Sequence, residues 1–297
     1  MKTDGRTSGK TARKCFLGLL LPALIGLSPV QAARVVTLAP HLTELVCAAG
    51  ACDQLVAVSA YSDYPEQVKH LPHVSDGFGV SYEALLALKP DRVLAWDGGT
   101  PPSTIARLGE LGLRVESIKA SRLDDVASAI EAIGGELGTD SAARAAADAY
   151  RRRLAGLRER WRNATPIRVV YQIGTSPAYT INAQSPISDA LHLCGGINVF
   201  DSMPQIAASI GSEAMLAARP RVVLYAASED TASIRAYWQR IPGNEVSAPG
   251  SFYAVNADWL SRATPRLLDG VEQVCGILDQ FRHTPPAPAS VHQSAAS

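Results

Sequence analysis

The chain lacks the sequence motifs of several common enzyme classes. It contains no GxSxG motif for a nucleophilic serine, and its nearest match, residues 207–211, lacks the first glycine. No GxGxxG follows the first predicted strand and no P-loop is present, so neither a dinucleotide site nor a nucleoside triphosphate site is supported. We therefore assign no catalytic residue.

Spacing typical of metal sites is also missing. The cysteines show no CxxC pattern and no nearby pair of histidines, which disfavours a zinc site. His70 and His73 lie three residues apart, but they fall in a predicted loop around Pro72. We interpret these histidines as surface residues and assign no metal ligand.

Long apolar runs are absent after the first 32 residues, which have the pattern of an export signal. Five basic residues precede a short apolar run at 15–27, and residues 30–32 offer small side chains for a signal peptidase. We predict a signal peptide over residues 1–32, cleaved after Ala32; the alternative is an uncleaved anchor. The remainder, with 23 basic and 27 acidic residues, has a formal net charge of −4. Without a basic stripe, nucleic acid is not an expected partner.

One stretch of the sequence occurs twice. Residues 81–96, SYEALLALKPDRVLAW, and residues 211–226, GSEAMLAARPRVVLYA, are identical at seven of sixteen aligned positions. Each copy predicts a short amphipathic helix that ends at a proline and leads into a buried strand. Two such units indicate two similar α/β lobes, and the space between two lobes is a natural place for a ligand.

Alternating strands and helices predict a mostly parallel sheet in each lobe. Predicted strands cover residues 34–38, 56–59, 92–96, 115–118 and 167–173. Predicted helices cover residues 41–49, 81–89, 103–111, 123–133, 187–193, 234–240 and 264–281.

Residues 139–162 differ from the rest, because they are rich in alanine and arginine, contain no proline, and predict one long helix. At about 1.5 Å per residue the helix would extend roughly 36 Å, enough to run across two lobes. The expected organisation is an N-terminal α/β lobe at 33–138, a bridging helix at 139–163 and a C-terminal α/β lobe at 164–283. Residues 284–297 form a tail that we expect to be disordered. The fold class is therefore α/β, with two Rossmann-like lobes bridged by a single long helix.

Four cysteines remain after the export signal, in a compartment where pairing is favoured. Three connectivities are possible. Sequence locality favours Cys47–Cys52, which leaves Cys194 and Cys275 to close the second lobe. The alternative is four unpaired thiols in the core.

Aromatic and polar residues that follow predicted strands are the candidate ligand-binding residues. In open α/β sheets ligands bind beyond the carboxyl ends of the strands, and we expect Trp96 and Asp258 to face each other across one cleft. His41, at the start of a predicted helix, is interpreted as a capping or loop residue rather than as a metal ligand. The candidate set is Tyr61, Phe78, Trp96, Tyr179, Asp258, Trp259 and Arg262.

The chain resembles the periplasmic cobalamin-binding proteins of ATP-driven importers, a class in which one long helix joins two lobes. The resemblance covers residues 34 to about 281 and is carried by RVVTLAPHLTEL, VSAYSDYPEQ, SYEALLALKPDRVLAWDGG, LHLCGGINVF, SEAMLAARP and NADWLSRATPR. It implies a monomeric, non-catalytic periplasmic protein that binds cobalamin as cargo, without a cofactor, and delivers it to the permease dimer of an ABC importer. The alternatives are a haem- or siderophore-binding protein of the same class and an exported α/β enzyme acting on a small substrate.

The resemblance also assigns roles to individual residues. It implies ligand contacts at Tyr61, Trp96, Asp258 and Arg262. At three positions where the family can carry an aromatic residue, this chain has Gly77, Ile173 and Met203. Stacking against the corrin should therefore be weaker or differently arranged.

Glu83 and Glu213 begin the two repeated helices. A carboxylate in the first turn of a helix interacts favourably with the positive end of the helix dipole, and this local effect can account for both glutamates. The resemblance adds a second role, in which both glutamates dock onto arginines of a symmetric permease.

Overall fold

The computed structural model describes residues 32–76, 79–246 and 250–284, together with Gly5 and Gly9. Most of the predicted export signal and all but the first residue of the predicted tail therefore lie outside the described residues. Within the described part of the chain, no helix is long and apolar enough to cross a membrane.

The first lobe is built on a five-stranded sheet whose strands all run parallel, in the order β3-β2-β1-β4-β5. The strands are β1 (Val35–Thr37), β2 (Leu55–Ser59), β3 (His73–Ser75), β4 (Arg92–Trp96) and β5 (Val115–Ile118). The helices are α1 (Pro40–Ala48), α2 (Tyr82–Leu88), α3 (Pro102–Glu110) and α4 (Asp125–Leu137).

A long helix follows the first lobe, α5 (Asp140–Trp161). Its 22 residues extend about 33 Å. Its buried side chains are Ala143, Ala147, Tyr150, Leu154 and Leu157, a spacing that keeps one face against the protein.

The second lobe contains a four-stranded parallel sheet in the order β11-β10-β6-β8 and a separate antiparallel pair, β7 with β9. Its strands are β6 (Ile167–Gln172), β7 (Tyr179–Ile181), β8 (Gly196–Asn198), β9 (Ala207–Ser209), β10 (Val222–Ala226) and β11 (Phe252–Val255). Its helices are α6 (Pro186–Leu193), α7 (Ser212–Ala218), α8 (Thr231–Gln239), α9 (Ala257–Ser261) and α10 (Leu267–His283).

Both faces of each large sheet are covered, as strands rich in valine and leucine require. On the outer faces, Leu85 of α2 and Leu108 of α3 pack on the first sheet, and Met215 and Trp238 belong to the corresponding cluster of the second. The inner faces share one buried cluster, which includes Leu42, Ile130, Leu154, Leu191 and Leu278. Because this cluster contains residues of both lobes and of α5, the lobes are joined by a continuous core.

The repeated sequence folds into equivalent units. Helices α2 and α7 each have seven residues, and strands β4 and β10 each have five. Each helix ends at a cation in the left-handed conformation, Lys89 with φ 46° and Arg219 with φ 44°, followed by a proline. The internal repeat seen in the sequence is therefore also a repeat in the fold.

The structure contains two disulfides, Cys47–Cys52 and Cys194–Cys275. This is the connectivity that sequence locality favours. The first disulfide joins residues five apart, whereas the second joins α10 to the end of α6 across 81 residues.

The structure corrects several predicted bounds. The short strands β3, β7, β8, β9 and β11 have no counterpart in the sequence prediction. The predicted helix at 264–281 begins only at Leu267, and the segment before it contains the short helix α9. The predicted helix at 234–240 begins earlier, at Thr231, where Asp230 accepts hydrogen bonds from two helix N–H groups.

Candidate functional site

A cavity of about 410 Å³ opens in the first lobe beyond the carboxyl ends of β1, β2 and β4. In a parallel sheet these ends lie at one edge, where the loops that follow the strands converge. Tyr61 and Trp96 both line this cavity. The other lining residues are Leu38, Ala39, Pro40, Ser59, Ala60, Ser75, Asp76, Gly79, Val80, Gly99, Thr100, Pro101 and Thr104.

Trp96 is held in place by its neighbours although its side chain remains 37% exposed. A Cβ added at Gly99 would lie 1.8 Å from the indole ring, so only glycine lets the ring lie against the chain here. The backbone N–H of Trp96 donates to Thr100 Oγ1 at 2.9 Å. The His41 ring meets the indole edge-on, with centroids 4.9 Å apart. Trp96 therefore presents a fixed, half-exposed aromatic surface to the cavity.

The loop that carries Tyr61 rests on a chain of buried hydroxyl groups. Oxygen–oxygen distances are 2.7 Å for Thr37–Thr43, 3.0 Å for Thr43–Ser62 and 3.1 Å for Ser59–Ser62. Tyr61 itself has φ 64°, a left-handed conformation unusual for a bulky residue. Its side chain is 76% exposed, so the loop holds this aromatic group out toward solvent.

A buried carboxylate lies beside the cavity and joins the two lobes. Glu44 of α1 is only 2% exposed and accepts from Arg266 Nε at 2.9 Å and Nη2 at 2.5 Å. Arg262 Nη1 also donates to Glu44, at 3.2 Å. Both arginines belong to the second lobe, so three charges from opposite lobes share one site.

Arg262 is engaged on several sides. Its Nη1 donates to Asp63 Oδ1 at 2.7 Å and its Nη2 donates to the Tyr61 carbonyl at 3.3 Å. Nη2 also lies 3.0 Å from Asp258 Oδ1. The Arg262 side chain is 12% exposed, whereas that of Asp258 is 54% exposed.

The electrostatics of this cluster act on its titratable neighbours. Burial and, to a smaller extent, the positive charge of Arg262 together lower the pKa of His41 to about 4, so the imidazole is neutral near pH 7. Burial raises the pKa of the Asp63 carboxyl, but the hydrogen bond and charge of Arg262 outweigh burial and hold that pKa below its ordinary value. Arg262 thus favours the ionised form of Asp63 and the neutral form of His41.

The candidate residues fall into three groups. Tyr61 and Trp96 line the cavity, and Arg262 links Asp258 to the Tyr61 loop. Tyr179 is exposed on β7 of the second lobe. Trp259 is half-buried in α9, and Phe78 lies outside the described residues.

Tyr179 has an apolar neighbour on the second lobe. Ile173 and Tyr179 form an isolated antiparallel bridge, with N···O distances of 2.9 and 2.8 Å, and both side chains are exposed. Residues directly opposite in an antiparallel pair point to the same face. Met203, by contrast, packs against the outer core cluster of the second lobe.

Three residues of this cluster, Glu44, Asp63 and Arg266, were not among the predicted site residues. The available signal was a glutamate inside an otherwise apolar helix face, since a charged residue is almost never buried unless it is paired. The interpretation of His41 was wrong. The residue is buried within α1, whose N-cap is Ala39, and its Nε2 has no hydrogen-bond partner among the described residues.

Glu83 and Glu213 occupy equivalent exposed positions in the first turns of α2 and α7. Three residues further on, Leu86 and Leu216 are also exposed. Since residues three apart lie on the same side of a helix, each lobe presents a glutamate beside a leucine.

Comparison with known proteins finds similar proteins that cover most of this chain. The chain is 37% identical to a vitamin B12-binding protein of Vibrio cholerae over 266 residues, which are 89% of this chain and 95% of that protein. The crystal structure of the periplasmic vitamin B12-binding protein BtuF of Vibrio cholerae matches with a TM-score of 0.78 and 36% identity, covering 85% of this chain and 99% of that one.

A periplasmic haem-binding protein from Pseudomonas aeruginosa is more distant. It matches with a TM-score of 0.72 and 26% identity, over 86% of this chain and 95% of its own. The family model described as periplasmic binding protein matches residues 35–240. With this match and the relatives' high coverage, the chain belongs to the periplasmic binding protein family.

Proposed function

We propose that this protein is a non-catalytic periplasmic carrier that captures cobalamin between its lobes and delivers it to the permease dimer of an ABC importer. The observation that carries the proposal is the first-lobe cavity lined by Trp96 and Tyr61, in a chain whose relatives are named for vitamin B12 binding. The predicted export signal at residues 1–32 supports a periplasmic location. We expect the carrier to act as a monomer and to hold cobalamin as cargo.

The chemistry of the site suits a large amphipathic ligand. Cobalamin has an apolar macrocycle with a rim of amides, and exposed aromatic groups can cover part of that macrocycle. Asp258 can accept hydrogen bonds from ligand amides, and Arg262 can donate to their carbonyls. A cavity of about 410 Å³ in one lobe covers only part of such a ligand, so the second lobe must supply the rest.

The second lobe offers a different apolar surface from the one that the family can carry. Ile173 and Tyr179 lie side by side where relatives can place an aromatic residue, and the partly buried Met203 packs against the outer core cluster. We propose that Ile173 and Tyr179 cover the macrocycle on the side opposite Trp96. Trp259 and Phe78 stay proposed ligand residues on the strength of their loop positions.

Titration calorimetry with cyanocobalamin tests the proposal, with hemin as the competing ligand. We expect saturable 1:1 binding of cyanocobalamin and coelution of its absorbance with the protein on a sizing column at micromolar concentration. Binding of hemin alone would assign the carrier to the haem-binding alternative. Turnover of a small ester or phosphoester with no binding of either ligand would favour the enzyme.

We also propose that Glu83 and Glu213 dock the carrier onto the importer. The support is the matched surface of α2 and α7, where each lobe presents a glutamate beside an exposed leucine. A permease with two-fold symmetry would meet the same charge on both lobes, and exposed charge would steer the encounter.

The double change Glu83→Ala with Glu213→Ala tests docking. It should leave cyanocobalamin affinity intact and weaken binding to a vitamin B12 importer reconstituted in nanodiscs. Glu110→Ala, at an exposed glutamate of α3, is the matched control. If the double variant docks as strongly as wild type at physiological salt, the docking proposal is wrong and the two glutamates only stabilise the starts of their helices.

The continuous core and the single bridging helix should limit lobe movement. We propose that the lobes shift little when ligand binds. Small-angle scattering with and without cyanocobalamin should give nearly equal radii of gyration, and a large difference would contradict the proposal.

A further inference from the structure

The charge cluster around Glu44 is built from both lobes. The carboxylate lies in the first α-helix, whereas the guanidinium groups come from positions 218 and 222 residues later in the chain. An ion held at 2% exposure needs strong partners, because removing a carboxylate from water is costly. Glu44 has them: its two oxygens receive hydrogen bonds from Arg266 at both Nε and Nη2 and from Arg262 at Nη1.

The two arginines take different places on this carboxylate. Arg266 binds both oxygens of Glu44, and its guanidinium carbon lies 4.0 Å from the ring centroid of Tyr64. Bidentate and stacked arginines have a fixed geometry. Arg262 donates from Nη1 to one oxygen of Glu44 and from Nη2 to the backbone carbonyl of Tyr61. Glu44 thus fixes one arginine completely and orients the other.

The neighbours of Arg262 show what that orientation achieves. Its guanidinium joins the exposed carboxylates of Asp63 and Asp258, one from each lobe, and touches the backbone of a residue that lines the cavity. Without Glu44 the same guanidinium could swing toward either exposed carboxylate. Both are flexible surface partners that contribute little by themselves.

We infer that Glu44 is a positioning residue, which anchors the second lobe to the first beneath the cleft and holds Arg262 at its edge. The anchoring role stands on the structure alone. The effect on ligand affinity rests on the proposed function, because it requires cobalamin to be the cargo. Glu44 itself is too deeply buried to touch a ligand in the cleft, so it acts through Arg262.

Distances between spin labels, one on each lobe, test the anchor without any ligand. The labels are placed on exposed helix starts by Ser103→Cys and Ala232→Cys, since the four cysteines among the described residues are paired. The unaltered background should give a narrow distance distribution. Glu44→Gln should give a broader one with a longer mean, and Arg266→Gln should broaden it less. Unchanged distributions in both variants would overturn the anchor.

Cyanocobalamin titrations of the same variants test the positioning role. Glu44→Gln should raise Kd roughly tenfold, the scale of one hydrogen bond to a charged group. Arg266→Gln also removes the buried ion pair between Glu44 and Arg266, but it leaves Glu44 bound to Arg262. It should therefore lower the thermal midpoint while the affinity for cyanocobalamin stays near wild type. A purely structural Glu44 would lower the midpoint in both variants and change affinity in neither, and that result would overturn the positioning role.

Two further variants complete the design. Glu44→Asp keeps the charge and shortens the side chain by one methylene, so it should fold even if Glu44→Gln does not. It should show a smaller loss of affinity than the one expected for Glu44→Gln. Wild-type affinity in Glu44→Asp would then count against the positioning role. Glu66→Gln, at a surface pair with Lys69, should change neither distance nor affinity. If the unaltered protein fails to bind cyanocobalamin, the proposed function is wrong, and the label distances still decide the anchor.

Discussion

In the first lobe the repeated helix–strand unit ends on Trp96, whereas the aligned position of the second lobe is Ala226. The cation that ends each repeated helix also differs in its surroundings, because Arg219 forms an ion pair with Glu245 on the surface. Two copies of one unit have thus kept the same backbone and acquired different side chains. The backbone is constrained by packing, and the exposed ends are free to specialise.

The lobes also contribute different charged groups to the cluster around Arg262, where the second lobe adds Asp258 to its two arginines. The first lobe supplies the carboxylates Glu44 and Asp63 and most of the aromatic cavity. The second lobe supplies Arg262 and Arg266. The proposed site draws on a cavity of one lobe and on arginines of the other, so it requires both lobes in register.

The largest expected difference is in how much each of the two disulfides stabilises the protein. Replacing Cys194 and Cys275 with alanine frees a loop of 81 residues and should lower the free energy of unfolding by roughly 4 kcal/mol. The same change at Cys47 and Cys52, only five residues apart, should cost roughly 2 kcal/mol. Urea denaturation of both variants measures the difference, and equal losses would show that loop length does not distinguish the lobes.

His41 should make the stability of the first lobe sensitive to acid. Its folded pKa of about 4 lies below the ordinary value of 6.5, so below pH 6.5 the unfolded chain binds a proton that the native protein excludes. Stability is therefore complete above pH 6.5 and falls by about 3 kcal/mol as the pH drops to 4. Urea midpoints from pH 7 to 4 should show this loss, and His41→Leu should reduce it.

The control for this experiment is His70→Gln, at an exposed histidine, which should leave the pH dependence unchanged. A wild-type pH profile in His41→Leu would mean that other groups account for the acid sensitivity.

Trp96→Ala makes the end of the first repeat resemble that of the second. Because the indole is a fixed surface of the cavity, the change should weaken cyanocobalamin binding by about 1–3 kcal/mol. Trp161→Ala, at the end of the bridging helix, is the matched control and should leave affinity unchanged. Calorimetric affinity equal to wild type in Trp96→Ala would remove this residue from the site.

The smallest effect is expected at the left-handed helix ends. An L-residue in this conformation costs about 1–2 kcal/mol, and glycine avoids that cost but adds about 0.5–1 kcal/mol of backbone entropy. Lys89→Gly should therefore stabilise the protein by roughly 0.5–1 kcal/mol. Arg219→Gly should gain less, since it also removes the pair with Glu245. Thermal unfolding of the two variants measures the gains, and equal gains would show that the surface pair contributes nothing.

Local signals account for the elements that the sequence predicted well. The bridging helix, observed as Asp140–Trp161, has strong helix formers throughout and no proline. Strand 92–96 has the same bounds in prediction and structure, because Pro90 precedes it and a glycine-containing turn follows. The three-residue strands β7, β8 and β9 were missed, since such short segments carry no periodicity and form only where a partner lies beside them.

The sequence by itself determined the two repeated units, the long helix between them and the aromatic residues at the strand ends, because each depends on neighbours a few positions away. Only the tertiary structure decided that Glu44 binds Arg262 and Arg266, that His41 lies buried against Trp96, and that Met203 packs against the outer core cluster of the second lobe. These pairings join residues up to about 220 positions apart. Such contacts are set by how the two lobes pack, and a single sequence does not state which distant side chains that packing brings within hydrogen-bond distance.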